Sequence, residues 1–296
     1  MELRTLRYFL AVAREQNITR AAEALYISQP ALSRQLASLE AELGVQLFSR
    51  GSHNIALTEQ GWLLKERAEE IVTLTERLSE EFVRPDISVA GGIHIGMGES
   101  YSGRVLMKVA AEMQRQYPRV RFHLHDGNMD DLTEGLDRGL LDFCILIQPA
   151  DLSHYHHLRL PESDEFGLYV SPSGPLAQKE SIARRDLRNE PLIVSEQTII
   201  DSLSHNAFIE WFGDDFEKVN IVGTYNLVFN ATLLAAEGTG SIIALQRQLR
   251  VEEAELLKFI PFDPPLRVAS DVVWKRGRKL APAAEVYLEM LRNEIG

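Results

Sequence analysis

One cysteine, Cys144, stands in 296 residues, so no intrachain disulfide can form and a reducing cytoplasm is the expected compartment. No apolar run approaches the ~18–20 residues needed to cross a bilayer, and the opening MELRTLRYFL does not read as a secretion signal. Missing too are G-x-S-x-G, the P-loop and H-E-x-x-H, so nothing anchors catalysis and no enzyme is expected. Gly91, Gly92 and Gly96 lack the spacing of a dinucleotide fold, and no cofactor is expected. His154, His156 and His157, with His123 and His125 on a strand, lack the spacing of a closed zinc site and read as surface or core residues. Cys144 sits in the apolar run FCILI without a second cysteine to resolve it, which reads as an inert thiol. Positive charge is also scarce. The 31 Lys+Arg face 43 Asp+Glu, a net charge of -12, which argues against coating of nucleic acid by the whole molecule.

What is present is ordinary globular composition, 45% hydrophobic and 25% charged, long enough for two or three domains. The charge is uneven. Residues 1–58 carry six basic side chains (Arg4, Arg7, Arg14, Arg20, Arg34, Arg50) against five acidic ones (Glu2, Glu15, Glu23, Glu40, Glu42), net +1, and the rest holds -13. A phosphate-facing surface needs only a few well-placed cations, and the acidic remainder would confine DNA to one end.

Leu3, Leu6, Phe9, Leu10 and Ala13 recur at helical spacing and predict a helix from about Glu2 to Glu15. Thr19 is the expected N-cap of a second helix over Arg20–Leu25. Ser28, with Pro30 just inside, is the expected start of a third, whose Leu32, Leu36 and Leu39 share one face. Pro30, Ser33, Arg34, Ala37 and Ser38 fall on the other side, with Gln29 at the leading end. That surface is short, polar and cationic, suited to base edges in a major groove. Val45–Arg50 and Ile55–Leu57 predict a hairpin around the turn Gly51–Asn54. The set reads as a winged helix–turn–helix, with a generic packing module as the alternative.

The segment FLAVAREQNITRAAEALYISQPALSRQLASLEAELGVQLFSR, continued by Leu57-Thr58 and Gly61, resembles the N-terminal domain of LysR-type transcriptional regulators. Ile18, Ala21-Ala22, Leu25, Ser28 to Ser33, Leu39-Glu40, Leu43-Gly44, Leu47-Phe48 and Arg50 stand in register. The resemblance implies that the third helix reads the major groove, with Gln29, Pro30, Ser33 and Arg34 at contact positions. Thr19 and Ser28 complete the candidate set there. The wing departs from the family's basic pattern, offering only Arg50 and His53.

From Glu59 to Phe82 one long helix is expected, with a heptad seam of Leu64, Ala68, Ile71, Thr75, Leu78 and Phe82. With no partner foreseen in the reader domain, the seam reads as a dimer interface, the alternative being packing on the downstream domain. A dimer matches a palindromic site. The resemblance implies the same, usually as a tetramer. Pro85 to Gly92 reads as a hinge.

Beyond it, strands (His94–Met97, Val120–His125, Phe143–Ile147) alternate with helices (Ser102–Gln116, Asp130–Arg138). This predicts a parallel sheet with a crevice at the strand carboxyl ends. A second set follows: strands Phe166–Val170, Leu192–Val194, Ile221–Thr224 and Ser241–Leu245, and helices Ser202–Phe212 and Asn226–Glu237. Val268–Trp274 and a helix Ala281–Glu294 return to the first subdomain. Gly139–Asp142 and Ala235–Gly240 resemble the family's effector domain, built like a periplasmic binding protein. The expected division is 1–58 for the reader, 59–88 for the linker helix and hinge, and 89–296 for the effector domain. Within the last, subdomain I covers about 89–163 and 268–296, and subdomain II about 164–267.

Gly98, Glu99 and Ser100 join a strand to a helix and suggest a carboxylate cradle, Ser100 falling where the family has a ligand-binding hydroxyl. Asn128, Gln148, Ser195 and Thr198 lie in the other segments expected to line the crevice. Glu99 would repel an anion unless it turns to solvent, so a zwitterion reconciles the two features. The expected function is a ligand-responsive, sequence-specific DNA-binding regulator. Its expected partners are double-stranded operator DNA, a carboxylate or zwitterionic effector, further copies of itself and RNA polymerase. The alternatives are a solute-binding or enzymatic domain with incidental DNA binding, and a ligand-independent architectural DNA binder.

Overall fold

Leu6, Phe9 and Val12 recur on one stripe, and burying that stripe builds the first helix, α1 (Leu3–Glu15). The computed structural model describes residues 1–50, 55–82, 89–197, 207–249 and 256–296. The chain divides into two units, Met1–Pro85 and Asp86–Gly296.

In the first unit α1 is followed by α2 (Ile18–Ala24), α3 (Gln29–Leu43), a hairpin of β1 (Phe48–Arg50) and β2 (Ile55–Leu57), and α4 (Glu59–Phe82). The cap of α2 is Asn17, not Thr19. Its side chain accepts from the Thr19 and Arg20 amides at 2.9 and 3.0 Å, so the helix opens two residues earlier than expected. Ser28 does hold the N-cap position of α3, though its hydroxyl makes no capping bond, and Gly44 ends that helix at φ +70°. The first strand is shorter than expected, because Val45 and Gln46 are exposed and the Leu47 amide donates to Glu40 Oε1 at 2.7 Å. Phe9, Val12, Leu32, Leu36, Leu39 and Leu47 form the core, each worth about 1.5–3 kcal/mol when fully buried. The expected turn Gly51–Asn54, and His53 with it, lies outside the described residues.

Helix α4 corrects the expected seam. Ala68 is wholly buried in this core, with Leu64 and Val72 packed beside it, so the helix does have a partner in the reader unit. Gly61 lies where β1 and α4 meet, and a Cβ there would stand 2.1 Å from the Leu47 carbonyl oxygen. Ile71 and Leu78 remain exposed, joined by Leu63 and Leu74. At 100° per residue those four share a stripe rotated from the buried one.

The second unit is built on a nine-stranded sheet. Its path order is β4 (Val120–Asp126), β3 (Gly91–Met97), β5 (Phe143–Ile147), β11 (Lys258–Lys275), β6 (Tyr155–Val170), β10 (Ser241–Leu245), β8 (Pro191–Ser195) and β9 (Asn220–Tyr225), while β7 (Ile182–Ala183) pairs with β11 off that path. β6 and β11 are far longer than the expected Phe166–Val170 and Val268–Trp274. They pair antiparallel from Lys258↔Val170 to Lys275↔Tyr155, with irregularities at Pro261/Leu266 and Ala269/Asp271. The missed part of β6 runs from Tyr155 to Glu165, and its stretch Glu162-Ser163-Asp164-Glu165 lacks the apolar alternation that marks a strand. Both long strands pass from one half to the other, so the expected boundaries near 163 and 267 fall inside them.

In the first half α5 (Arg104–Gln116) and α9 (Pro282–Ile295) cover one face around Tyr287, Phe143 and Met113, and α6 (Met129–Asp137) covers the other. In the second half α7 (Ala207–Phe212) and α8 (Val228–Ala236) cover opposite faces. Of the expected helix Ser202–Phe212 only Ala207–Phe212 falls among the described residues. No described helix is long and apolar enough to cross a membrane.

Candidate functional site

Two surfaces gather the candidate residues, one in each unit. On α3, Leu32, Leu36 and Leu39 face inward, which turns Gln29, Pro30 and Arg34 outward to full exposure. Gln29 Nε2 donates to Ser33 Oγ at 2.9 Å, one turn apart, so the two polar groups stand as a pair. Arg34 makes no hydrogen bond or ion pair with a described residue. No acidic side chain lies between Gln29 and Leu39. Thr19 and Ser28 are exposed nearby in sequence, as is Tyr26, 96% accessible at φ +56° in the turn between the helices. Tyr26 was missed, because it reads only as a break in helical pattern. Arg50 ends β1, and nothing of its side chain is described.

The second surface is a crevice, partly open to solvent, with a cavity volume of about 130 Å³. It is lined where the parallel strands end: Gly98 and Glu99 after β3, Asn128 after β4, Gln148 after β5, Ser195 and Gln197 after β8, and Asn226 and Leu227 after β9. Five of the expected residues (Gly98, Glu99, Asn128, Gln148, Ser195) therefore line it. Thr198 lies outside the described residues. Ser100 does not line it. Its hydroxyl bonds Asp164 Oδ2 and Ser102 Oγ, each at 2.6 Å, and caps the short 3-10 turn Tyr101–Gly103.

Glu99 neither turns to solvent nor stands apart. Its Oε2 accepts from the Val228 amide, the first of α8, at 2.5 Å, and its backbone oxygen accepts from Gln248 Nε2. A carboxylate from the first half thus caps a helix of the second, where the positive end of the helix favours it. Gln148 is likewise engaged at both ends. Its Nε2 donates to the buried Asp271 at 2.7 Å and its Oε1 accepts from the Ala150 amide at 3.0 Å, while Arg159 Nε bonds the same Asp271 at 2.9 Å. Tyr225 donates to the Ile243 carbonyl at 2.8 Å, and burial, aided by the Glu99 charge, pushes its phenol above the ordinary range.

Gln197, Asn226, Gln248, Phe208 and Leu227 were missed by sequence reasoning. For Asn226 and Leu227 a signal existed, since they follow a predicted parallel strand. Gln248 had none.

Elsewhere, His94 stacks on His123 with ring centroids 4.4 Å apart, and its Nδ1 lies 3.2 Å from His125 Nε2. Among the described residues no group of three His, Cys, Asp or Glu could hold a metal. Cys144 is fully buried, its thiol 3.4 Å from the Leu132 carbonyl, and burial pushes its pKa up.

Comparison with known proteins places both surfaces in a wider set. Residues 3–62 match the family described as bacterial regulatory helix-turn-helix protein, lysR family, and residues 88–296 match the LysR substrate binding domain. The uncharacterised HTH-type regulator YwbI of Bacillus subtilis is 30% identical over 297 residues, covering 100% of this chain and 97% of that protein. A hydrogen peroxide-inducible genes activator of Pectobacterium carotovorum is 32% identical over 197 residues, 66% of this chain and 65% of the other. The fold is similar to that of full-length CbnR solved with its target DNA, with TM-score 0.73 and 22% identity, covering 99% of this chain and 100% of that one.

Proposed function

This chain belongs to the LysR family of bacterial transcriptional regulators, and from that premise we propose that α3 reads a two-fold operator while the crevice between the two halves of the second unit takes the effector. As a member of the family it is a DNA-binding regulator with an effector-binding domain. The observation that carries the DNA assignment is the outer face of α3. It offers Gln29, Ser33 and an Arg34 without a partner among the described residues, with no carboxylate among the three. Gln pairs with adenine edges and Arg with guanine edges in the major groove. Arg34 contacts a guanine or a phosphate, Gln29 a base edge, and Ser33 either.

Self-association runs through α4. The exposed stripe Leu63, Ile71, Leu74 and Leu78 supplies an apolar seam once Leu64 and Ala68 are committed to the reader core. A second apolar surface lies on the opposite edge of the large sheet from Leu124, where Ile221 and Val222 of β9 adjoin Phe229, Leu233 and Leu234 of α8. These two surfaces support a dimer that pairs further into a tetramer. No catalytic role is assigned to the crevice. Among its described lining residues no nucleophile is paired with a base, and they suit binding by polar and apolar side chains.

The likeness to hydrogen peroxide-inducible activators does not carry peroxide sensing. A redox sensor needs an accessible thiolate and a partner thiol, and the single Cys144 is buried with its thiol form favoured. The cytoplasm is the compartment this reading places it in.

The experiment is selection from a random DNA pool by the full-length protein. The expected product is an inverted repeat with half-site centres a whole number of helical turns apart, each about 10 base pairs. Enrichment of no motif, or of an undivided site without two-fold symmetry, contradicts the assignment.

A further inference from the structure

A helix whose first amides face a crevice is a ready anion site. At the head of α8 that site is filled from within, by the Glu99 carboxylate on the Val228 amide. The expected cradle at Ser100 is also closed, because the Ser100 hydroxyl is bonded to Asp164, itself buried. Among the described residues lining the crevice there is no Lys, Arg or His. An incoming carboxylate would therefore meet one fixed negative charge and no cation among these described residues. A cation would exchange its water for a carboxylate that already holds the Val228 amide, between walls that are otherwise apolar or neutral, so its burial costs more than Glu99 returns.

The polar groups that remain available are neutral. Asn128 Oδ1 accepts from the Asp131 amide at 2.9 Å and Asn226 Oδ1 from the Leu227 amide at 2.9 Å, so each retains an NH2 group without a partner among the described residues. The side chains of Ser195 and Gln197 make no hydrogen bond with a described residue either. Asn128 comes from the first half of the unit and the other three from the second. Around them stand Ile147, Phe166, Phe208, Leu227 and Leu245, an apolar and aromatic wall.

Resting on the crevice as the effector site, we propose that the effector is an uncharged, ring-bearing molecule held by amide and hydroxyl groups, and that Glu99 is the residue that turns carboxylates away.

The test is thermal unfolding of the full-length protein with four one-ring probes that differ in charge: benzamide, benzyl alcohol, benzoate and benzylammonium. Each is supplied at about 10 mM, above the affinity expected for a fragment of this size. The neutral pair raises Tm and the charged pair does not. In Glu99→Gln, benzoate affinity rises about tenfold or more while benzamide affinity changes little. Benzoate or benzylammonium outperforming benzamide overturns the proposal, as does silence from all four. Should Glu99→Gln fail to fold, the contrast between benzamide and benzoate on the natural chain decides the matter alone. Leu227→Trp, which fills the crevice, separates the two levels. A benzoate shift abolished by that plug keeps the crevice and overturns only the charge assignment. Shifts that survive the plug overturn the crevice reading as well.

Discussion

Arg34 meets no counter-charge among the described residues, which leaves its guanidinium available to DNA. Replacing it by Ala is expected to weaken specific binding by about 1–3 kcal/mol and to relax the preferred base at one position of each half-site. Competition binding with single-base variants of the selected operator checks this. Equal losses on every sequence, with a shallower salt dependence, would move Arg34 to phosphate contact. Cys144 makes the opposite kind of prediction. Buried and protonated, it is expected to resist peroxide, and Cys144→Ser is expected to leave DNA binding with and without peroxide unchanged. Mass spectrometry after peroxide treatment checks it, and a sulfenic or sulfinic adduct on native protein would count against it. At this scale the sequence was legible where a residue's type and place in a helix decide its side. Leu32, Leu36 and Leu39 buried and Gln29 and Arg34 exposed follow from 100° per residue. Ser100 and Glu99 were misplaced because their partners, Asp164 and Val228, lie 64 and 129 residues away. Local pattern carries no trace of such pairs.

Among elements, α4 is the one whose surface has two jobs. One stripe, through Leu64, Ala68 and Val72, closes the reader core, and the rotated stripe through Leu63, Ile71, Leu74 and Leu78 is exposed, the surface proposed above for a second copy. Leu74→Asp with Leu78→Asp is expected to give a folded monomer with an unchanged reader core and a loss of operator affinity of several kcal/mol, because two half-sites no longer bind together. Light scattering and circular dichroism check it together. A dimer that persists in the double variant would place the pairing surface elsewhere. The bounds of α4 were legible from Glu59 to Phe82, but not the division of its faces. A seam of period 3.5 does not say whether a neighbour in the same chain or another copy covers it. β6 and β11 were half legible for a related reason. Their apolar ends alternate as strands do, whereas the polar stretch between the halves has water or a polar neighbour on both faces.

Across the whole molecule, four tyrosines tie stability to pH on the alkaline side. Burial raises Tyr169, Tyr225 and Tyr287, and burial with the Asp137 hydrogen bond pushes Tyr155 up to about 12. In the unfolded chain a phenol ionises near 10. Below that value folded and unfolded states hold the same phenolic protons and nothing is lost. Above it the unfolded chain releases protons first, so stability falls as pH climbs from about 10 toward 12. Urea midpoints at pH 8, 10 and 11 are expected to be level and then to drop, with phenolate absorbance appearing together with unfolding. A midpoint unchanged at pH 11 would show that these side chains are reached by water in the folded state. The architecture at this scale was legible: a winged reader, a long helix and a two-part α/β domain. The crevice at the strand ends follows from parallel topology, though its charge does not.

The most direct measurement is the bend angle of the selected operator in complex with the full-length protein, taken for the natural chain and for Leu227→Trp. The substitution fills the crevice and leaves every residue of the reader unchanged. If the state of the crevice sets how the reader pairs lie on DNA, half-site affinity is retained and the bend differs between the two proteins. Equal bends with equal affinities would contradict the coupling, and the chain would then be a DNA reader whose crevice has no say in how it binds.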